Sequence, residues 1–198
     1  MTRLLAAMMM VLTLGACAGN ADLDQPPVPL GDFSLTHNIV VAPNAQRGPF
    51  SRPATDEDLI ETVRNAIAER FDRYDGASRY HFGISVEGYV LAVPGVPLVV
   101  SPKSALILNL TVWDDAAGKK LNEEPKQITV LETFGTGTII GSGYTLSAEE
   151  QLLQLSQNAA KSVERYLVRQ MKEEGWFMPD PAAVAADAED PAADASAG

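Results

Sequence analysis

The 198-residue chain is short of the side chains on which most enzyme and metal chemistry is built. It holds one cysteine, Cys17, which excludes an internal disulfide and a cysteine-rich zinc site. It holds two histidines, His37 and His81. With a single thiol they are too few for a resident metal centre, so neither a metal nor another cofactor is expected. Basic residues are also sparse: 15 Lys and Arg stand against 26 Asp and Glu, a formal net charge of −11. Nucleic acid is therefore excluded as a partner, because binding phosphate backbones requires a cationic face. What the chain does have is 46% apolar residues, enough for one core of useful size.

The opening residues, MTRLLAAMMMVLTLGAC, have the layout of an export signal. Arg3 gives a positive start, and Leu4–Leu14 is an uncharged apolar stretch too short to span a bilayer as a helix. Leu14-Gly15-Ala16-Cys17 resembles the bacterial lipobox. The resemblance implies a signal peptide over residues 1–16, cleavage between Ala16 and Cys17, and acylation of Cys17. The sulfur would carry diacylglycerol through a thioether, and the new amine a further chain such as palmitate. Two or more chains hold a protein stably on a membrane where one does not. Ala18, where enteric-type lipoproteins kept at the inner membrane carry Asp, implies the outer membrane, periplasmic face.

Residues 17–30 are polar and then proline-rich, and are read as lipid anchor and flexible tether. Residues 179–198 are nearly all Ala, Asp, Glu and Pro, with five acidic and no basic residues, and are read as a disordered acidic tail. Residues 31–178 form the expected periplasmic domain.

Within it, Phe33, Leu35, His37, Ile39 and Val41 alternate as one face of a strand. Thr55 followed by three acidic residues predicts a helix start. Ile60, Val63, Ile67, Phe71 and Tyr74 give that helix its apolar stripe. Tyr80, Phe82, Ile84, Val86 and Val90 form a second strand, with Gly88 marking a bulge. Leu106, Leu108, Leu110 and Val112 form a third, and Ile128, Val130 and Phe134 a fourth. Ser147 and Glu150 fit a capping box before a second amphipathic helix through Leu152, Ala159, Val163, Leu167 and Met171, ending near Gly175. The expectation is an α+β two-layer sandwich of order βαβββα. Four mostly antiparallel strands would carry two amphipathic helices on one face. In architecture this resembles small envelope lipoproteins such as the LPS-assembly lipoprotein family. No family motif stands in the core, so no functional residue carries over.

Candidate contacts are few. The apolar, proline-broken stretch Val93–Pro102, with Val96, Leu98 and Val99, either packs under the domain or meets a partner. Arg47 and Arg52 flank Phe50 in a loop that can meet lipid phosphates. The glycine-rich run 135–143 has neither dinucleotide nor P-loop spacing and reads as a connector, with Ile139 and Ile140 available to a partner. His37 falls on the buried parity of its strand, and His81 on the wet one. No catalytic grouping of Ser, His and Asp is apparent. The expectation is a non-enzymatic, membrane-anchored lipoprotein that binds or scaffolds an envelope protein or lipid. The alternatives are an LPS-assembly-like protein binding lipid or an outer-membrane barrel, and an envelope hydrolase with a scattered site.

Overall fold

The computed structural model describes residues 22–93, 104–132 and 146–178. The lipobox with Ala16 and Cys17, the stretch holding Val96, Leu98 and Val99, Phe134 with the glycine-rich run, and the acidic tail all lie outside the described residues.

The elements are β1 (Phe33–Val41), β2 (Gln46–Arg47), α1 (Asp56–Phe71), β3 (Ser78–Val90), β4 (Ala105–Asp114), β5 (Lys119–Lys120), β6 (Lys126–Leu131) and α2 (Ala148–Glu174). The long strands lie side by side as β1, β3, β4 and β6, all in one mixed sheet. The β3–β4 and β4–β6 pairs are antiparallel, whereas β1 and β3 are parallel and joined through α1. Parallel neighbours need a long crossover, and the helix supplies it. Both helices pack on one face, giving the expected α+β architecture. The two-residue strands β2 and β5 extend the sheet beside β3 and β4.

The core lies between the layers. From the sheet come Phe82, Ile84, Leu106, Leu108, Leu110 and Val112; from the helices come Leu59, Val63, Ile67, Phe71, Leu155, Ala159, Val163 and Leu167. In α1 the stripe is entered by Leu59, while Ile60 is only partly buried.

Two bulges decide which residues face outward. A register shift between Leu35 and His37 inserts one extra residue into β1. It reverses the strand's parity, so Val40 and Ala42 turn inward while His37, Ile39 and Val41 face out. The expected inward parity of His37 is therefore wrong, because an unbroken period of two cannot pass through a bulge. The shift between Val86 and Gly88 does the same in β3, where Tyr89 and Leu91 become the buried residues. At Gly88 a Cβ would stand 3.1 Å from the Gln46 carbonyl oxygen, so the absent side chain lets β2 approach.

Each helix begins with a reciprocal cap. The Thr55 hydroxyl accepts from the Asp58 amide while the Asp58 carboxylate accepts from Thr55, and Ser147 pairs with Glu150 in the same way. α2 ends on Gly175 in the left-handed conformation (φ 71°). Thr55→Ala and Ser147→Ala are each expected to lower unfolding free energy by about 1 kcal/mol. Urea titration checks this; an unchanged midpoint in both variants contradicts it.

Candidate functional site

Among the described residues, several places outside the core bring chemistry-bearing side chains together. The first joins the N-terminal segment to both helices. Arg70, with its side chain 3% exposed, lies between Glu164 (2.9 Å) and Asp22 (3.0 Å), and Lys161 reaches Asp22 from outside (3.1 Å). The Tyr74 hydroxyl, with one proton to give, lies between the Val28 carbonyl (2.8 Å) and the Glu164 carboxylate (3.0 Å), and Arg73 donates to the Gln25 carbonyl. Leu30 is fully buried. The stretch read as flexible tether is therefore seated on the domain from Asp22 onward. The hydrogen bond from Arg70 holds the Asp22 carboxyl down at about 2, against burial, with Lys161 adding to the effect. Burial opposes the Arg70 charge, but Asp22 and Glu164 outweigh it and raise its affinity for the proton. For Tyr74, burial and the neighbouring Glu164 charge push the phenol well above its usual range. Arg70 and Glu164 carried a sequence signal that the apolar periodicity obscured: opposite charges sitting on the buried stripes of two helices.

The second place is the opposite pole, where β3 ends and both helices begin. Phe50 is 80% exposed there with φ 58°, a left-handed conformation uncommon for an aromatic residue. Arg47 is exposed in β2. Arg52, the other arginine of the loop, is partly buried, and its Nη1 donates to the Leu146 carbonyl (3.1 Å). Arg47 and Phe50 remain open at this pole, whereas Arg52 ties the loop to the start of α2.

The third place lies on the sheet face away from the helices. The bulge in β1 sets His37 directly beside His81 of β3, with the two Nδ1 atoms 2.9 Å apart. His81 Nε2 lies 3.0 Å from Asp115, whose other oxygen takes Arg79 at 3.1 Å. The hydrogen bond from His81, with Arg79 and the imidazoles beside it, lowers the Asp115 pKa. The histidines are thus together with a carboxylate, on an open face rather than in a deep cleft. Along the same face, Ile39, Val41, Gly83, Ser85, Asn109, Thr111 and Pro125 border a shallow depression of about 270 Å³. Among the described residues no group of three or more His, Cys, Asp or Glu could hold a metal ion. No helix among them is long and apolar enough to cross a membrane.

No family model and no curated protein matches the chain. The chain is similar to several solved structures. A Xanthomonas campestris protein of the DUF330 family is 14% identical, with a TM-score of 0.43 over 75% of this chain and 94% of its own. A putative lipoprotein from Caulobacter crescentus is 12% identical, with a TM-score of 0.36 over 78% and 99%. A minor lipoprotein from Acinetobacter baumannii is 15% identical, with a TM-score of 0.29 over 72% and 93%.

Proposed function

We propose that this chain is an envelope lipoprotein moored through acylated Cys17 and that its domain is a binding module held close to the membrane. The observation that carries the reading is the seat of Asp22. Only residues 18–21 lie between Cys17 and Asp22, so even a fully extended connection spans at most ~18 Å. A domain on so short a leash stands on the membrane by the pole that holds Arg70 and Tyr74. Arg47 and Phe50 lie at the far end of β3, whose 13 residues extend roughly 40 Å. That pole points away from the anchoring bilayer. Arg47 and Phe50 are therefore offered to an envelope protein, or to a lipid carried by one, rather than to the headgroups beneath. Transfer to the outer membrane, which Ala18 favours, belongs to the same proposal.

Two measurements test it. Cys17→Ala is expected to move the protein almost wholly from the membrane to another fraction, and intact mass should show the acyl chains on Cys17. An unlipidated native chain overturns the proposal. With Cys17 acylated, a cysteine introduced at Asp24 or at Arg47 is the sole free thiol. A donor dye at position 24 is expected to transfer strongly to headgroup-labelled lipid, and one at position 47 weakly. Equal transfer contradicts the orientation.

A further inference from the structure

We propose that His37 and His81 form an exchangeable binding site for a late first-row divalent cation, Zn²⁺ or Cu²⁺, held by their two Nδ1 atoms and oriented by Asp115. The chain's only two histidines stand 44 residues apart in sequence, on β1 and β3, and the bulge after Leu35 turns the first of them outward to meet the second. The Asp115 carboxylate accepts from Nε2–H of His81, which leaves Nδ1 of a neutral His81 as a bare lone pair aimed at His37. A carboxylate on the outer nitrogen of an imidazole fixes its tautomer and raises its basicity, as around metal-ligating histidines. Arg79 occupies the second oxygen of Asp115, so the carboxylate stays on the outer side of the ring and is not a third ligand.

The spacing fits. Two nitrogens at about 2.05 Å from a tetrahedral ion stand about 3.3 Å apart. The present separation is 2.9 Å, with the rings inclined at 57°. Small rotations of both rings open the gap and bring the lone pairs to one point. With His81 Nε2–H given to Asp115, the proton between the rings belongs to His37 Nδ1; metal binding moves it to the outer nitrogen of that ring, so a neutral pair loses no net proton. Two protein ligands leave the remaining positions to water, which makes the site labile rather than a resident centre. Imidazole suits both ions, and the Irving–Williams order makes Cu²⁺ the tighter.

The test uses the full acylated chain in detergent, without a polyhistidine tag, titrated with Zn²⁺ and followed through the ¹⁵N resonances of the imidazoles. Both Nδ1 resonances are expected to shift together and saturate at one concentration. His37→Gln or His81→Gln should weaken binding at least tenfold, and Asp115→Ala about tenfold. All three side chains lie on the open face, and far-ultraviolet circular dichroism will show the variants folded. With Cu²⁺, the electron paramagnetic resonance spectrum should show two equatorial nitrogens. The proposal is overturned if neither imidazole responds, if the outer nitrogens shift instead, or if the substitutions leave the affinity unchanged.

Discussion

Arg70→Ala is expected to destabilise the domain by about 3–5 kcal/mol, because it strands Glu164 with its side chain only 6% exposed. The loss should appear as a fall in Tm on the order of 10 °C. Charge alone is not what the site needs. The double variant Arg70→Met with Glu164→Leu removes both charges, and it should recover most of the loss. A double-mutant cycle in urea gives the coupling, and near-additive single effects would show the pair to be unimportant.

Asp22 adds a pH arm to the same network. Its carboxyl is held at about 2, below the unfolded value near 3.9. The sign follows from linkage: the unfolded chain takes up the proton first, so the contribution of Asp22 is full above about pH 4 and lost as pH falls toward 2. Amide hydrogen-exchange protection over residues 22–30, taken relative to the intrinsic rate at each pH, should fall in that window in the native chain. In Asp22→Asn the protection should already be low at pH 7 and change little on acidification.

The second large effect is expected at Phe33. Its ring meets Phe71, Tyr74, Tyr80, Phe82 and Phe177, with centroids between 5.0 and 6.1 Å. It thereby joins β1, β3, the end of α1 and the segment after α2. Phe33→Ala should cost about 3–5 kcal/mol, since five aromatic neighbours at the margin of a small core cannot collapse into the space. Phe50→Ala removes the same side chain from an 80% exposed position and should change stability by less than about 0.5 kcal/mol. Chemical denaturation of the two variants makes the comparison, and equal losses would refute it.

Periodicity made most of the architecture legible. Both helices, the four long strands, the Thr55 cap and the Ser147–Glu150 capping box can be read from residue type and spacing, while the reciprocal bond from Thr55 to Asp58 comes from the structure. Local pattern is silent on partners, however, so the parallel pairing of β1 with β3 had to come from the structure. The strand-one bulge has no glycine to announce it, so a period of two puts His37 on the wrong face. The Gly88 bulge was legible because its residue type marks it. Proline and polarity in residues 22–30 argued for a tether. What seats the segment is a charged side chain 48 residues further on, a long-range contact no local window contains. The exposure of Arg47 and Phe50 follows from a polar, proline-broken loop, while the meeting of His37, His81 and Asp115 depends on register.

The amide of Asp32 donates to the carbonyl of Phe177 at 2.8 Å, so the domain is entered and left at one point. Gly31, with φ 62°, makes this approach: a Cβ there would stand 2.3 Å from the same carbonyl oxygen. A chain with abutting ends is topologically close to a ring. Joining Asp32 to Phe177 through a few residues and opening new ends at the exposed β4–β5 turn around Gly118 would keep the sheet pairing and both helices, and would give up only the seated segment from Asp22 to Gly31.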